Sequence, residues 1–350
     1  MKNATVTLLP GQRVLLVSES ESILDAALRA GINLPHSCKG GHCASCRARI
    51  LSGNVRYPFE LPPGLTPQEQ SEGFALLCQA RPASAELTIE LRHTHLPAVD
   101  TQVRSIPCRI EHMAPLAPDV MEVTLRLPQT ELFSFVAGQY IDIMLPGSRR
   151  RSFSLANPPH ESARLVLHVR RVRGGEFTQQ LFESMKEKTL LRIEGPLGQF
   201  AFREASPRAA LFVGGGTGYA PLRAMLMSLL ERGDTRPLEL YWGAAAQMDL
   251  YAEPEIRMWM QQHPNLRFTP VLSAPSAGWS GPIGLVHKAV LADHPRLADY
   301  DVYAAGPPAM IEAIRHEFIA AGLPQEQLFF DSFDYAPDAL AKLKAAGSVP

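Results

Sequence analysis

The spacing of four cysteines constrains this chain more than any other feature of its sequence. Cys38, Cys43 and Cys46 follow the pattern C-x4-C-x2-C, and Cys78 lies 32 residues further along. This is the ligand spacing of a plant-type [2Fe–2S] cluster, in which four thiolates converge on two irons. The glycines at positions 40–41 lack a Cβ, so the backbone amides of the loop can approach the sulfur atoms. The pattern therefore predicts that these four cysteines hold a [2Fe–2S] cluster.

Three alternatives to this cluster are buried structural cysteines, a four-cysteine zinc site and a Rieske centre. Zinc sites usually show two C-x2–4-C pairs, whereas this chain has one C-x2-C, one C-x4-C and a distant cysteine. A Rieske centre needs two histidine ligands. His36 and His42 are close in sequence, but four cysteines already fill the ligand positions, so we expect both rings to pack in the loop or face solvent. We expect the fifth cysteine, Cys108, to be a small buried hydrophobe.

The charge and hydropathy of the chain exclude several classes of protein. Its 34 basic and 35 acidic residues give a net charge of −1, so neither nucleic acid nor an anionic membrane is an expected partner. No apolar run approaches the length of a transmembrane helix. Residues 1–12 lack the basic-then-apolar pattern of a signal peptide. We therefore expect a cytoplasmic protein without a membrane partner, in which the thiols stay reduced.

The patterning of the chain changes along its length and predicts three domains. Residues 1–95 resemble a small α+β domain, with strands at Thr5–Leu9 and Arg13–Val17 that can form a hairpin. A proline-containing segment, Thr94–Ile106, is predicted to be a linker. Four prolines indicate the boundary between the first two domains: Pro97, Pro107, Pro115 and Pro118.

The two later domains differ in pattern. Residues 104–204 hold many short alternating strands, which are typical of a small barrel. Residues 207–335 alternate short buried strands with helices, which predicts a doubly wound parallel sheet. Residues 336–350 are predicted to be a C-terminal tail.

A first nucleotide motif lies on a predicted barrel strand. The guanidinium of Arg151 suits a phosphate. Phe153 shares its strand face and can pack on a flat ring, and the Ser154 hydroxyl can bond a ring nitrogen. The pair Gly174-Gly175 opens a helix, where free backbone N–H groups favour an anion, and Thr178 adds a hydroxyl. Without further support, the run Arg149-Arg150-Arg151 would more often be a charged segment exposed to solvent at the end of a strand.

A second nucleotide motif follows the strand Ala209–Val213. Gly214, Gly215, Gly216, Thr217 and Gly218 form a glycine-rich turn before a helix with proline near its start. Such a turn can cradle an anion. It departs from G-x-G-x-x-G because position 219 is tyrosine, and the alternative is a purely structural turn between strand and helix.

The segment after the next strand bears on coenzyme choice. Binding a 2′-phosphate usually needs a nearby Arg or Lys. Residues 244–250 hold no basic residue and one acidic residue, Asp249. This composition favours NADH over NADPH.

The order of these motifs resembles the ferredoxin–NADP reductase superfamily, in members that carry an N-terminal plant-type ferredoxin domain. The resemblance covers nearly the whole chain. Arg151, Phe153, Ser154 and Thr178 match R-x-Y/F-S and G-G-x-x-S/T, and the second turn matches G-G-T-G-x-x-P. It implies a β-grasp-like ferredoxin domain, an antiparallel flavin-binding β-barrel and a doubly wound nicotinamide domain. It further implies that the arginine binds the flavin phosphate, the aromatic ring packs on the isoalloxazine, the serine lies near N5 and the threonine contacts the pyrophosphate.

Two later segments are similar to motifs of the same superfamily. Ala305-Gly306-Pro307-Pro308-Ala309-Met310 resembles C-G-P-x-x-M, with alanine where most members have a cysteine that is thought to position the nicotinamide. Asp331-Ser332-Phe333 resembles the acidic-x-aromatic ending. The resemblance implies that Gly306 and Pro307 bind the coenzyme and that Phe333 shields the flavin until nicotinamide displaces it. Ser154 and Phe333 are thus the candidate catalytic residues.

Members with this domain order include reductase components of aromatic-ring dioxygenases and of methane and phenol monooxygenases, and CDP-6-deoxy-delta-3,4-glucoseen reductases. The segments most similar to the last group are Arg151–Pro159, Leu167–Gln180, Ile193–Gly198 and Leu240–Gly243. The resemblance implies FAD, hydride transfer from NADH, and passage of single electrons through [2Fe–2S] to a protein acceptor. That acceptor would be a CDP-deoxysugar dehydrase, or alternatively a dioxygenase or monooxygenase component. An alternative from a different functional class is a non-enzymatic electron carrier or redox sensor.

Overall fold

The computed structural model describes residues 3–36, 39–41, 44–91, 103–131 and 133–333. These residues divide into two compact units. The first holds the described residues up to Arg104 together with Gly195–Gln199, and the second holds Ser105–Glu194 and the described residues from Phe200 onward. Cys38, His42, Cys43 and the predicted tail 336–350 lie outside the described residues.

The first unit is a five-stranded sheet in the order β2-β1-β7-β3-β5, with a separate β4-β6 pair. The strands β1 and β2 form the predicted antiparallel hairpin, and β7 runs parallel to β1. Helix α1 begins after Ser22 because the Ser22 Oγ accepts a hydrogen bond from the Asp25 amide at 3.0 Å. The strands are β1 Asn3–Leu9, β2 Arg13–Ser18, β3 Arg47–Ser52, β4 Val55–Arg56, β5 Phe74–Leu76, β6 Arg81–Pro82 and β7 Glu86–Glu90, and the helices are α1 Ile23–Arg29 and α2 Pro67–Ser71.

The second unit contributes nearly all of a six-stranded sheet in the order β11-β10-β13-β8-β9-β12, in which Arg104 of β8 and the last three residues of β13 belong to the first unit. The pairs β8-β9, β9-β12 and β10-β11 are antiparallel, and an antiparallel bridge between Leu155 and Leu167 joins the two ends of the sheet. The bridge closes the sheet into the predicted barrel. The elements are β8 Arg104–Ala117, β9 Val120–Arg126, β10 Tyr140–Leu145, β11 Arg149–Ser154, β12 Arg164–Arg170, α3 Glu176–Glu183 and β13 Leu190–Leu197.

The prediction of a linker over Thr94–Ile106 was wrong at its C-terminal end. Strand β8 already begins at Arg104, and Ile106 is buried in the barrel core. Pro107 and Pro115 lie within β8 and do not mark a joint. The register of β8 against β9 shifts just after Pro115, which is where a strand tolerates a residue that cannot donate a backbone hydrogen bond.

The rest of the second unit is a five-stranded sheet in the order β16-β15-β14-β17-β18, and every pair in it is parallel. This confirms the predicted parallel sheet. Its central strands are buried on both faces, which explains their continuous apolar sequences. The elements are β14 Ala209–Gly215, α4 Tyr219–Glu231, β15 Leu238–Ala244, α5 Glu253–Gln262, β16 Leu266–Leu272, α6 Val286–Asp293, β17 Tyr300–Gly306, α7 Pro308–Ala320 and β18 Leu328–Ser332.

The segment that follows the barrel packs into the core of the parallel sheet, while the barrel interior is a separate hydrophobic core. Phe202, which follows the barrel, stacks on Phe212 and Tyr303 of the sheet at 6.0 and 4.9 Å between ring centroids. The backbone amide of Arg203 donates to the Tyr303 hydroxyl at 3.0 Å. The predicted boundary between residues 204 and 207 therefore crosses a continuous aromatic stack. Within the described ranges, no helix has both the length and the apolar character that crossing a membrane requires.

Candidate redox and coenzyme sites

Two of the four predicted cluster ligands are described, and they lie together. Cys46 and Cys78 are both buried, and the Cys78 amide donates to the Cys46 sulfur at 3.5 Å. They meet because Cys46 immediately precedes β3 and Cys78 follows β5, its antiparallel neighbour. A backbone amide directed at a sulfur stabilises a thiolate ligand. This arrangement fits a [2Fe–2S] cluster.

The described part of the loop around these cysteines is tightly turned. Lys39, Gly41 and Ala44 all have a left-handed φ, of +53°, +82° and +57°. Such residues change the chain direction within a short segment. A Cβ at Gly41 would lie 2.8 Å from the Cβ of Pro62, so no larger residue fits there without a shift.

A tyrosine that sequence reasoning missed lies beside the two cysteines. The Tyr57 hydroxyl accepts a hydrogen bond from the Leu76 amide at 3.2 Å. Burial raises the pKa of Tyr57, and negative charge on Cys46 and Cys78 raises it further. Tyr57 therefore stays neutral next to these two cysteines. No sequence spacing pointed to it, because the loop between β4 and β5 carries no recognisable motif.

Two residues that were considered with the four cysteines, His36 and Cys108, have structural roles. His36 is buried, and its Nδ1 lies 2.6 Å from the Leu34 carbonyl oxygen, so it packs in the loop as expected. Cys108 lies in the barrel core, and burial raises the pKa of its thiol to about 12. This confirms the prediction of a small buried hydrophobe.

The first nucleotide motif lies on β11. Arg151 and Phe153 share one strand face, and the Phe153 ring lies 5.5 Å from the Phe177 ring of α3. The two preceding arginines form ion pairs, Arg149 with Glu176 and Arg150 with Glu194. The charge run is thus not simply a solvated strand end.

The glycine pair before α3 leaves the backbone of its first residue open. Gly174 has a φ of +72°, and nothing lies within 4 Å of the position a Cβ would take. Gly175 is the N-cap residue of α3 and provides no side-chain cap, so the first amides of α3 can bind an anion. The Thr178 hydroxyl accepts from the Val172 amide and donates to the Gly175 carbonyl, both at 3.1 Å. Thr178 therefore holds this turn closed.

The second nucleotide motif lies at the carboxyl end of β14, where the strand order of the parallel sheet reverses. A Cβ at Gly218 would lie 1.9 Å from the Ala305 carbonyl oxygen, and one at Gly215 would lie 2.7 Å from the Met310 sulfur. A Cβ at Gly306 would approach the Cα of Gly215 to 3.2 Å. The turn therefore packs backbone to backbone against the end of β17. In open α/β sheets, this switch point is where nucleotides bind.

The two candidate catalytic residues come close to this edge. The Ser154 hydroxyl donates to Asp331 Oδ2 at 3.4 Å, and both side chains are buried. The Phe333 amide donates to the Gly306 carbonyl at 2.9 Å. The barrel strand with Ser154, the last strand with Asp331 and the end of β17 therefore meet at one place. Sequence reasoning assigned no role to Asp331, although it belongs to the acidic-x-aromatic segment.

Arg170 is a second residue that sequence reasoning missed. It lies at the end of β12, and its Nη2 is 3.5 Å from the position of a Cβ at Gly216. The other guanidinium nitrogen, Nη1, lies 3.0 Å from Asp119 Oδ2, which holds the side chain in place. The barrel thus contributes a cation to the glycine turn. Only the fold brings these two segments together, because they are 46 residues apart in the sequence.

Asp249 lies in a short 3₁₀ turn after β15, at the same edge of the sheet. Its carboxylate accepts a hydrogen bond from the Ala246 amide at 2.9 Å. Asp249, the acidic residue in the segment whose composition favours NADH over NADPH, is thus held by its own turn.

Family models match all three parts of the chain. A model described as a 2Fe-2S iron-sulfur cluster binding domain matches residues 6–83. An oxidoreductase FAD-binding domain matches residues 107–202, and an oxidoreductase NAD-binding domain matches residues 212–316.

Curated relatives and solved structures agree with these models. The CDP-6-deoxy-L-threo-D-glycero-4-hexulose-3-dehydrase reductase of Yersinia pestis is 38% identical over 329 residues, covering 94% of this chain and 98% of the relative. The phenol 2-monooxygenase reductase component DmpP of a Pseudomonas species is 33% identical over 338 residues, covering 95% of each. A ferredoxin reductase structure from carbazole 1,9a-dioxygenase has a TM-score of 0.72 at 27% identity, covering 95% of this chain and 98% of that one.

The chain belongs to the ferredoxin–NADP reductase superfamily, in the group whose members carry their own [2Fe–2S] ferredoxin domain. It is an NADH-dependent iron–sulfur flavoprotein reductase that uses FAD.

Substituting Gly218→Ala should weaken NAD⁺ binding by more than about tenfold, which corresponds to about 1.4 kcal/mol. The new Cβ would overlap the Ala305 carbonyl, so the turn would have to move from the edge of the sheet. Calorimetric titration of NAD⁺ into the oxidised protein measures this. The control is Gly233→Ala at the other end of α4, where φ is +69° and nothing lies within 4 Å. Equal NAD⁺ affinities of the two variants would contradict a role for the turn.

Proposed function

We propose that this reductase supplies electrons to a dehydrase acting on a CDP-6-deoxyhexulose. The proposal is carried by the 38% identity to a reductase named for such a dehydrase, over nearly the full length of both chains. The alternative acceptor is an oxygenase component, which the 33% identity to a phenol monooxygenase reductase supports. Because NADH is available and thiol ligands stay reduced in the cytoplasm, we propose that location.

The barrel residues bind FAD in this proposal. Arg151 pairs with the flavin phosphate, since a guanidinium offers paired donors to phosphate oxygens. Phe153, backed by Phe177, presents an aromatic face to the flat ring system. The amides that follow Gly174 and Gly175 bind the pyrophosphate, and Thr178 stabilises the turn that aims them.

The parallel-sheet residues bind NADH. The amides of Gly214–Gly218 and the guanidinium of Arg170 form a positive concave surface for the coenzyme pyrophosphate. Gly306 ends β17 and Pro307 follows it at the same edge, so both line the nicotinamide end. Ser154 is oriented by its hydrogen bond to Asp331 and faces the flavin edge, and Phe333 covers the flavin until nicotinamide enters.

Bound FAD accepts a hydride and the [2Fe–2S] cluster carries single electrons. The protein's own contribution is to position the two rings and exclude water from them. Cys38, Cys43, Cys46 and Cys78 hold the cluster. The proposed domains are 1–95, 104–204 and 207–335, each containing one matched family model, with a tail at 336–350.

Substituting Arg151→Ala should lower the FAD content after dialysis to less than about half, because the phosphate loses a charge-assisted pair worth about 1.5–3 kcal/mol. Absorbance of the flavin per chain measures this. Arg192→Ala, an exposed arginine on another barrel strand, is the matched control and should retain its FAD. Full retention of FAD by the Arg151 variant would argue against its phosphate role.

Substituting Cys46→Ser should remove the cluster and abolish NADH-driven cytochrome c reduction, while NADH still bleaches the flavin. Iron content, cytochrome c reduction and anaerobic flavin absorbance are the three measurements. Cys108→Ser is the control, because that thiol is buried in the barrel and should not affect iron content. Parallel loss of flavin bleaching in the Cys46 variant would contradict separate sites for the two redox groups.

The acceptor is tested by mixing the reductase and NADH with purified acceptors. A CDP-6-deoxyhexulose 3-dehydrase with its sugar substrate should consume NADH faster than a phenol monooxygenase oxygenase component with phenol. Faster consumption with the oxygenase component would favour the alternative acceptor. As a control, the reductase should oxidise NADH with ferricyanide as the electron acceptor whichever protein acceptor is preferred. This control separates the choice of protein acceptor from the reductase activity itself.

A further inference from the structure

A buried indole contacts the glycine turn from within the protein. Trp242 is fully buried on β15, and its Nε1–H donates to the Gly216 carbonyl at 2.8 Å. The contact follows from strand pairing, since Trp242 lies directly opposite Gly214 in the parallel register of β14 and β15. A side chain at this one position can therefore reach the turn that leaves the neighbouring strand.

Neighbouring aromatic rings hold the indole in a single orientation. Tyr219 stacks on Trp242 at 4.4 Å between ring centroids and 19° between planes, and Tyr251 meets Trp242 edge-on at 5.0 Å. The Tyr219 hydroxyl donates to Glu255, which also binds Arg223. The indole N–H is thus a fixed donor.

The hydrogen bond to Gly216 sets the direction of the next amide. Gly216 has a left-handed φ of +54°, and its carbonyl also accepts from the Tyr219 amide. In a planar trans peptide, the C=O of one residue and the N–H of the next point in opposite directions. A Gly216 carbonyl directed inward at Trp242 therefore directs the Thr217 N–H outward.

We propose that Trp242 is a positioning residue for NADH: by holding the Gly216 carbonyl, its indole N–H aims the Thr217 amide at the coenzyme pyrophosphate. The inference rests on the proposed assignment of the glycine turn to the pyrophosphate. Trp242 itself touches neither coenzyme nor flavin in this role.

The test is Trp242→Phe, which removes the N–H and keeps a ring to stack on Tyr219. We expect the NAD⁺ dissociation constant and the KM for NADH to rise about 3- to 10-fold, since one neutral hydrogen bond is lost. The kcat at saturating NADH, with ferricyanide as acceptor, should change less than about twofold. The FAD content should stay the same.

A hydride donor without phosphates separates positioning from general damage. With 1-benzyl-1,4-dihydronicotinamide, the Trp242 variant should match the wild-type kcat/KM, because this donor has no pyrophosphate. A loss of equal size with both donors would overturn the proposal and leave Trp242 a packing role. An unchanged NAD⁺ affinity would overturn it as well.

The matched control is Tyr251→Phe. It keeps the ring that meets Trp242 edge-on and removes only the hydroxyl, which lies 3.1 Å from His168 Nδ1. Burial and the nearby Arg223 charge lower the pKa of His168 to about 3, so its imidazole is neutral and this is a neutral hydrogen bond like that of Trp242. The control should retain NAD⁺ affinity, and a matching loss would contradict a specific effect of the indole N–H.

Two further variants separate loss of the indole N–H from loss of packing and from damage to the turn. If Trp242→Phe loses FAD, replacing the indole by benzothiophene, which substitutes sulfur for N–H with the same shape, should give the same NAD⁺ defect in a folded protein. Normal NAD⁺ affinity of the benzothiophene protein would overturn the proposal. Gly218→Ala tests the turn itself: weak binding there with normal binding in the Trp242 variants would refute only the role of the indole.

Discussion

The close packing of the glycine turn against the end of β17 is the constraint on which the coenzyme site depends. A Cβ at Gly218 would overlap the Ala305 carbonyl at 1.9 Å, and a Cβ at Gly306 would approach the Cα of Gly215 to 3.2 Å. This contact brings the exposed amides of the turn to the carboxyl edge of the sheet. It also places Gly306, and through it Phe333, at the same edge. A side chain at either glycine would separate the strand ends that build the site.

The barrel contributes to this edge because the segment that follows it packs into the core of the parallel sheet. The stack of Phe202, Phe212 and Tyr303 fixes the two layers, and the Arg223 guanidinium of α4 donates to the Ala156 carbonyl at 2.8 Å. Arg170 can therefore lie over Gly216, and Ser154 can reach Asp331. Hydride transfer requires two rings in a fixed geometry, which these contacts between barrel and sheet can maintain.

Features that depend on local sequence were predictable. The β1-β2 hairpin, the parallel sheet and the glycine turns follow from alternation, apolar runs and glycine spacing. Arg170, Asp331 and Trp242 were not assigned, since their roles depend on contacts between segments far apart in the chain. The linker prediction failed at its C-terminal end because prolines were interpreted as breaks, whereas Pro107 and Pro115 lie within strand β8.

A crystal structure of the FAD-loaded protein with NAD⁺ bound would show whether the glycine turn holds the coenzyme. Oxygen atoms of the NAD⁺ pyrophosphate should lie about 2.7–3.2 Å from the Thr217 amide and from the Arg170 guanidinium. The Trp242 indole should still donate to the Gly216 carbonyl. A pyrophosphate bound away from the glycine turn would refute the role proposed for the turn, for Arg170 and for Trp242.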